Sequence, residues 1–209
     1  MAHTDSMEFF RSAPNPPGRL GIIPGTFNPV TVAHLALAQA ALSRVDEVLF
    51  VLPRAFPHKP YSGASFEERV EMLRQAASGA AFSIAAAEGG LFIEIARECR
   101  AAYGPEVKLT FLCGRDAAER IVNWDYGRSG AFAEMLGEFD LLVAARGGDY
   151  DPPPDLRHAI ARLDLAFPCD AVSATTVRER LARGEPWEEL VPAPIRERVR
   201  RIYGARNAR

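Results

Sequence analysis

Apolar residues along the chain fall into short runs separated by glycine, proline and charged positions, and the period inside each run distinguishes strand from helix. Residues 19–24 and Glu47-Val48-Leu49-Phe50-Val51-Leu52 are apolar almost throughout, as buried parallel strands are. Between them, residues 32–43 place Leu35, Ala38 and Leu42 at helical spacing, which completes a βαβ unit. Ser65 and Glu68 are spaced as a capping box that opens a helix over 66–78, with Phe66, Val70, Leu73 and Ala77 inward. The pattern then predicts a strand at 82–85, a helix at 91–103 and a strand at 108–113. Helices follow at 117–121 and 130–136, and strands at 139–145 and 163–167. A helix begins near Thr176, where Glu179 completes a second capping-box pattern, and closing helices are expected at 186–190 and 194–203.

Strand-helix alternation of this kind predicts an α/β fold with a doubly wound parallel sheet. One domain is expected over 19–204. Residues 1–18, polar and then rich in proline (Pro14, Pro16, Pro17), read as a flexible tail, and 205–209 as a second short tail.

Composition narrows the picture without deciding it. At 209 residues the chain is long enough to bury a substantial core, and its 48% hydrophobic and 25% charged content is that of an ordinary globular domain. A formal net charge of −2 argues against broad nucleic-acid binding, which needs a strong excess of cations. Cys99, Cys113 and Cys169 are widely spaced, which supports neither a disulfide framework nor a zinc site. No run is long enough to span a bilayer, and the start lacks a signal-peptide pattern, so no membrane partner and a cytoplasmic location are expected.

The chemistry concentrates at two places. The first is the turn after the opening strand, Gly25-Thr26-Phe27-Asn28-Pro29-Val30-Thr31-Val32-Ala33-His34, where backbone N–H groups lie beside a helix N-terminus and favour an anion. It has neither the spacing of a dinucleotide fingerprint nor the Gly-Lys-Ser/Thr of a P-loop. Thr31 and His34, three apart on a first helical turn, are expected to face one phosphate, with Gly25 allowing close backbone approach. The second place is Val172-Ser173-Ala174-Thr175-Thr176-Val177-Arg178, which sets hydroxyls and a forked cation at a helix start.

Together these stretches resemble the two signatures of the nucleotidylyltransferase superfamily, Gly-x-Phe-x-Pro-x-His/Thr-x-Gly-His and Ile-Ser-Ser-Thr-x-Ile-Arg. Further segments are most similar to bacterial nicotinate (nicotinamide) mononucleotide adenylyltransferases: Pro57-His58-Lys59-Pro60, the run Arg69 to Leu73, Gly114-Arg115-Asp116, and Trp124 downstream. The resemblance implies a Rossmann-like fold with C-terminal helices and transfer of AMP from ATP, with Mg²⁺, to a phosphate-bearing acceptor. Pyrophosphate is the second product. It assigns catalytic roles to His34, Thr31, Lys59 and Arg178, and nucleotide contacts to Gly25, Thr26, Phe27, Gly114, Asp116, Ser173, Thr175 and Thr176. His58 and Trp124 fall to the acceptor, and no protein metal ligand is implied.

The chain departs from the pattern at Ala33 and Ala174, and the threonine-bearing segment of the pyridine site is here Leu91-Phe92-Ile93-Glu94-Ile95-Ala96. The resemblance implies nicotinate mononucleotide as the first acceptor, and the altered segment opens others. The alternatives are nicotinamide mononucleotide, a sugar or polyol phosphate with CTP, and a non-catalytic nucleotide-binding protein on this fold.

Overall fold

The computed structural model describes residues 7–55, 61, 63–124, 126–127, 130–144, 150–166, 169 and 171–204. A seven-stranded sheet runs through the molecule in the order β1-β4-β3-β2-β5-β6-β7. Its strands are β1 (Glu8–Arg11), β2 (Arg19–Pro24), β3 (Glu47–Pro53), β4 (Phe82–Ala87), β5 (Lys108–Gly114), β6 (Asp140–Ala144) and β7 (Ile160–Leu163). All neighbours from β2 to β7 are parallel, and β1 joins the edge of β4 antiparallel. The expected doubly wound sheet is present, and the strand order reverses between β2 and β5, where such sheets open a crevice at the strands' carboxyl ends.

Helices α1 (Val32–Ala41), α2 (Phe66–Ala76), α3 (Phe92–Tyr103), α4 (Arg115–Val122), α5 (Ala131–Met135), α6 (Ala174–Arg183) and α7 (Arg196–Val199) cover both faces. Alternation along the strands sorts the core into two layers. Ile23, Phe50 and Ile84 pack with Leu37, Leu73, Val177 and Val199, whereas Ile22, Leu49 and Ala85 pack with Ile95, Phe111 and Ala118. Phe111 is wholly buried, stacked on Phe92 at 4.2 Å and edge-on to Phe139 at 4.7 Å.

Several expectations need correction. Residues 7–18 are not a loose tail, because 8–11 form β1, Met7 is buried, and Arg11 donates to the carbonyls of Ala77, Ser78 and Gly79 at 2.6–2.9 Å. Those carbonyls follow α2 and lack helical partners of their own, which is why a guanidinium docks there. The last strand is Ile160–Leu163 rather than 163–167, and its buried ends flank two exposed residues, as an edge strand allows. The capping box at Ser65 is present as expected. On α6 the cap is Ser173, whose Oγ accepts from the Thr176 N–H at 3.0 Å, and not Thr176 with Glu179. The closing helices are short: 3₁₀ turns at Glu188–Leu190 and Ala193–Ile195, then α7, then a π turn over Arg200–Gly204. No helix among the described residues is long and apolar enough to cross a membrane.

Candidate active site

The loop between β2 and α1 lies at the sheet's carboxyl edge and is clamped from three sides. Phe27 takes φ +46° and is buried, with its ring edge-on to Phe50 at 5.8 Å and to His34 at 5.2 Å. A Cβ on Gly25 would sit 3.1 Å from that ring, so the glycine makes room for Phe27. The Gly25 N–H donates to the Val51 carbonyl at 3.0 Å and is thus committed to the sheet rather than to an anion. Phe27, expected at the nucleotide, contributes its side chain to the core instead.

Asn28 is the loop's anchor. Its Oδ1 accepts from the Tyr203 hydroxyl at 2.6 Å and the Ala64 N–H at 3.2 Å, and its carbonyl accepts from Arg178 Nη1 at 2.5 Å. The peptide bond to Pro29 is cis. Gly63 packs so closely that an added Cβ would lie 2.1 Å from the Asn28 amide nitrogen. On the other flank, Arg69, only 3% exposed, donates to the Thr26 carbonyl at 3.0 Å from beneath the ring of Tyr61. Burial pulls the Arg69 guanidinium below its ordinary pKa, opposed by the neighbouring Tyr61, Tyr203 and Glu67. Sequence reasoning missed Asn28, Tyr203 and Arg69, whose partners lie 36 to 175 residues away.

At the end of the clamped loop, Thr31 is the N-cap of α1 and is fully buried, so it does not face a phosphate beside His34 as expected. Its backbone N–H lies 3.0 Å and its Oγ1 2.8 Å from His34 Nδ1. A backbone N–H can only donate, so Nδ1 accepts and the ring proton of neutral His34 resides on Nε2. Thr31 therefore fixes the tautomer and the ring.

Two cavities open along this edge. The larger, of about 440 Å³, lies between Pro24-Gly25-Thr26, Pro53 and Ala55, Gly90-Leu91-Phe92, side chains of α4, and Trp124 and Tyr126 just beyond that helix. Trp124, 41% exposed, stands at its rim and gives that wall an aromatic side chain. The smaller, of about 250 Å³, is lined by His34, Leu37, Gly114, Asp116 and Ala144. Gly25, Thr26, His34, Gly114, Asp116 and Trp124 thus all line one or other of these two adjoining cavities.

Ser173, Thr175, Thr176 and Arg178 line neither cavity, and Arg178 alone of the four reaches the loop, at the Asn28 carbonyl. Ser173 and Thr176 share a hydroxyl contact of 2.8 Å, and Arg178 bridges Thr175 Oγ1 at 3.2 Å and Asn28. His58 and Lys59 lie outside the described residues.

Where the pyridine-site threonines were expected, α3 supplies carboxylates. Glu94 accepts from the Gly90 and Leu91 N–H groups, each at 2.9 Å, and Glu98 from those of Glu88 and Gly89. The turn that borders the larger cavity is thus held by anions on its own helix. Cys113 lines both cavities, and burial pushes its thiol up to about 12, leaving it neutral.

Comparison with known proteins decides the family, since the cytidylyltransferase-like family matches residues 22–180, from β2 into α6. The chain belongs to that family. It is a nucleotidyltransferase. A "Probable nicotinate-nucleotide adenylyltransferase" of Gloeobacter violaceus is 35% identical over 85% of this chain and 91% of its own length. One of Citrifermentans bemidjiense with the same name is 40% identical over 88% and 98%. Among solved structures, a Plasmodium falciparum nicotinic acid mononucleotide adenylyltransferase complexed with NaAD superposes with TM-score 0.70 at 16% identity, covering 89% of this chain and 96% of that one. That likeness concerns the fold.

Proposed function

We propose that this nucleotidyltransferase is a cytoplasmic enzyme of NAD biosynthesis that transfers AMP from ATP to nicotinate mononucleotide, forming the dinucleotide and pyrophosphate. The observation that carries the reading is the pair of adjoining cavities at the switch point, one aromatic and one beside the helix-start histidine, on a chain whose relatives carry that name.

The acceptor phosphate, with a second pKa of about 6, is mostly a dianion near neutral pH. Its oxygen forms the new bond to the α-phosphorus as the bond to pyrophosphate breaks, and no base has to remove a proton. The protein's work is alignment and charge neutralisation. His34 donates from Nε2 to a non-bridging α-phosphate oxygen, held in that tautomer by Thr31. Lys59 and Arg178 neutralise the triphosphate and the departing pyrophosphate. Gly25 and Thr26 form the wall between sugar and phosphates. Gly114, Asp116 and the hydroxyls of Ser173, Thr175 and Thr176 hold the nucleotide, and His58 and Trp124 the acceptor. Among the described residues no group of three or more His, Cys, Asp or Glu could hold a metal, and Mg²⁺ would enter with the triphosphate as MgATP.

ATP labelled at the α-phosphorus tests the reaction class. The label is expected in a dinucleotide product; phosphate carried from the γ-position to the acceptor would reject nucleotidyl transfer.

Arg178→Ala is expected to lower kcat/KM for ATP roughly 10–100-fold, the scale of a lost charge-assisted hydrogen bond. Arg178→Lys should recover only part, because one ammonium cannot reproduce a fork spanning Asn28 and Thr175. Initial-rate kinetics with varied ATP provide the check, and unchanged ATP dependence in both variants would reduce Arg178 to a surface residue.

A second reading, nicotinamide mononucleotide as acceptor, is favoured by one observation. The Gly90 and Leu91 N–H groups at the cavity's border are engaged by Glu94, whose charge is unfavourable for a ring carboxylate.

A further inference from the structure

The two cavities share four lining residues: Pro24, Cys113, Ala117 and Arg120. Two are apolar and the Cys113 thiol is held neutral, so Arg120 brings the only charge to the junction. It is also the only arginine or lysine among the described residues that line either cavity.

The pattern of α4 explains why it stands there. Arg115 and Glu119 pair with each other at 2.7 Å. Asp116, Ala117, Arg120, Ile121 and Trp124 recur at spacings of three and four, which turns them toward the cavities. Among the described residues the Arg120 side chain has no hydrogen-bond or ion-pair partner, although arginines elsewhere on the surface, such as Arg19, Arg54, Arg157 and Arg180, each have a carboxylate.

We propose that Arg120 is a substrate-binding residue that grips the acceptor's phosphate at the junction and holds it against the α-phosphate. This rests on the adenylyl-transfer reading above. A dianion must there approach a polyanion, and their repulsion opposes the attack unless a cation lies between them. The guanidinium fork binds two phosphate oxygens and leaves the third to attack, with pyrophosphate leaving as the new O–P bond forms. His34, across the smaller cavity, meets the α-phosphate; Arg120 meets the group that attacks it.

The test compares nicotinate mononucleotide with its nucleoside, which lacks the phosphate, by calorimetric binding to the wild type and to Arg120→Ala and Arg120→Lys. Arg120→Ala is expected to weaken mononucleotide binding about 10–100-fold and to leave the nucleoside unchanged, which also shows that the site is folded. Arg120→Lys should recover part of the loss. Equal losses for both ligands, or none for either, would overturn the assignment. Wild-type protein that forms no dinucleotide from any pyridine mononucleotide would refute the functional reading instead, whereas turnover with an unaltered mononucleotide-to-nucleoside ratio in Arg120→Ala would refute Arg120 alone.

Discussion

Replacing His34 by alanine is expected to lower turnover roughly 10²–10³-fold, the usual scale for loss of one donor that acts on a developing charge. The fold should survive, because His34 lies at a helix start and is partly exposed. Geometry sharpens the prediction beyond a simple loss. Thr31 commits Nδ1 as an acceptor, so the donor the neutral ring can offer a substrate is Nε2–H. Glutamine, whose side-chain amide carries its donor at similar reach, should retain more activity than asparagine, which is shorter. Thr31→Val keeps the backbone N–H and loses only Oγ1, and should cost less than His34→Ala. Near-normal turnover in His34→Ala, measured under saturating substrates, would remove the histidine from the mechanism.

Asn28→Ala has the largest expected effect on stability among residues near the site. The side chain is 5% exposed, and its Oδ1 serves both the Tyr203 hydroxyl and the Ala64 N–H. Loss of a shared buried acceptor costs about 2–4 kcal/mol, or roughly 5–12 °C in Tm for a domain of this size. The clamp also sets the loop that carries Thr26 and leads to Thr31, so KM for ATP should rise as well. Tyr203→Phe removes one of the same hydrogen bonds and is expected to cost less. The double variant should be less destabilised than the sum of the two by about 1 kcal/mol. Strict additivity in thermal or denaturant unfolding would show that the two residues do not act through one another.

The sequence pattern made the central strands and most helices legible, because β3 and β4 are buried on both faces and are therefore apolar but for Glu47 and Ser83. It failed at the edges. β1 has only four residues and no continuous apolar run, and three prolines follow within six residues, so its composition is that of a tail. What orders it is remote: pairing with β4 and the grip of Arg11 on the end of α2. β7 was displaced for a related reason, since an edge strand buries only its ends.

The site divides in the same way. His34, Gly114, Asp116 and Trp124 could be placed because the chemistry of a motif is local in sequence. The clamp around Asn28 could not, because it joins the loop to α2, α6 and the chain's final turn. The Tyr203 contact is visible only once a π turn brings that hydroxyl inward. Thr31 was misjudged for a subtler reason. Spacing put it on the same face as His34, but as the N-cap it turns its hydroxyl to the histidine ring and not to ligand. Arg120 gave no signal at all, since an exposed arginine on an amphipathic helix is ordinary until the cavities on its two sides are seen.

The most direct measurement is the initial rate of pyrophosphate release with a matrix of donors and acceptors: ATP and CTP against nicotinate mononucleotide, nicotinamide mononucleotide and a set of sugar and polyol phosphates. The account predicts the highest kcat/KM for ATP with nicotinate mononucleotide, nicotinamide mononucleotide as the only significant rival, and little turnover with CTP. Preference for CTP and a sugar or polyol phosphate, or absence of pyrophosphate release with every pair, would contradict it.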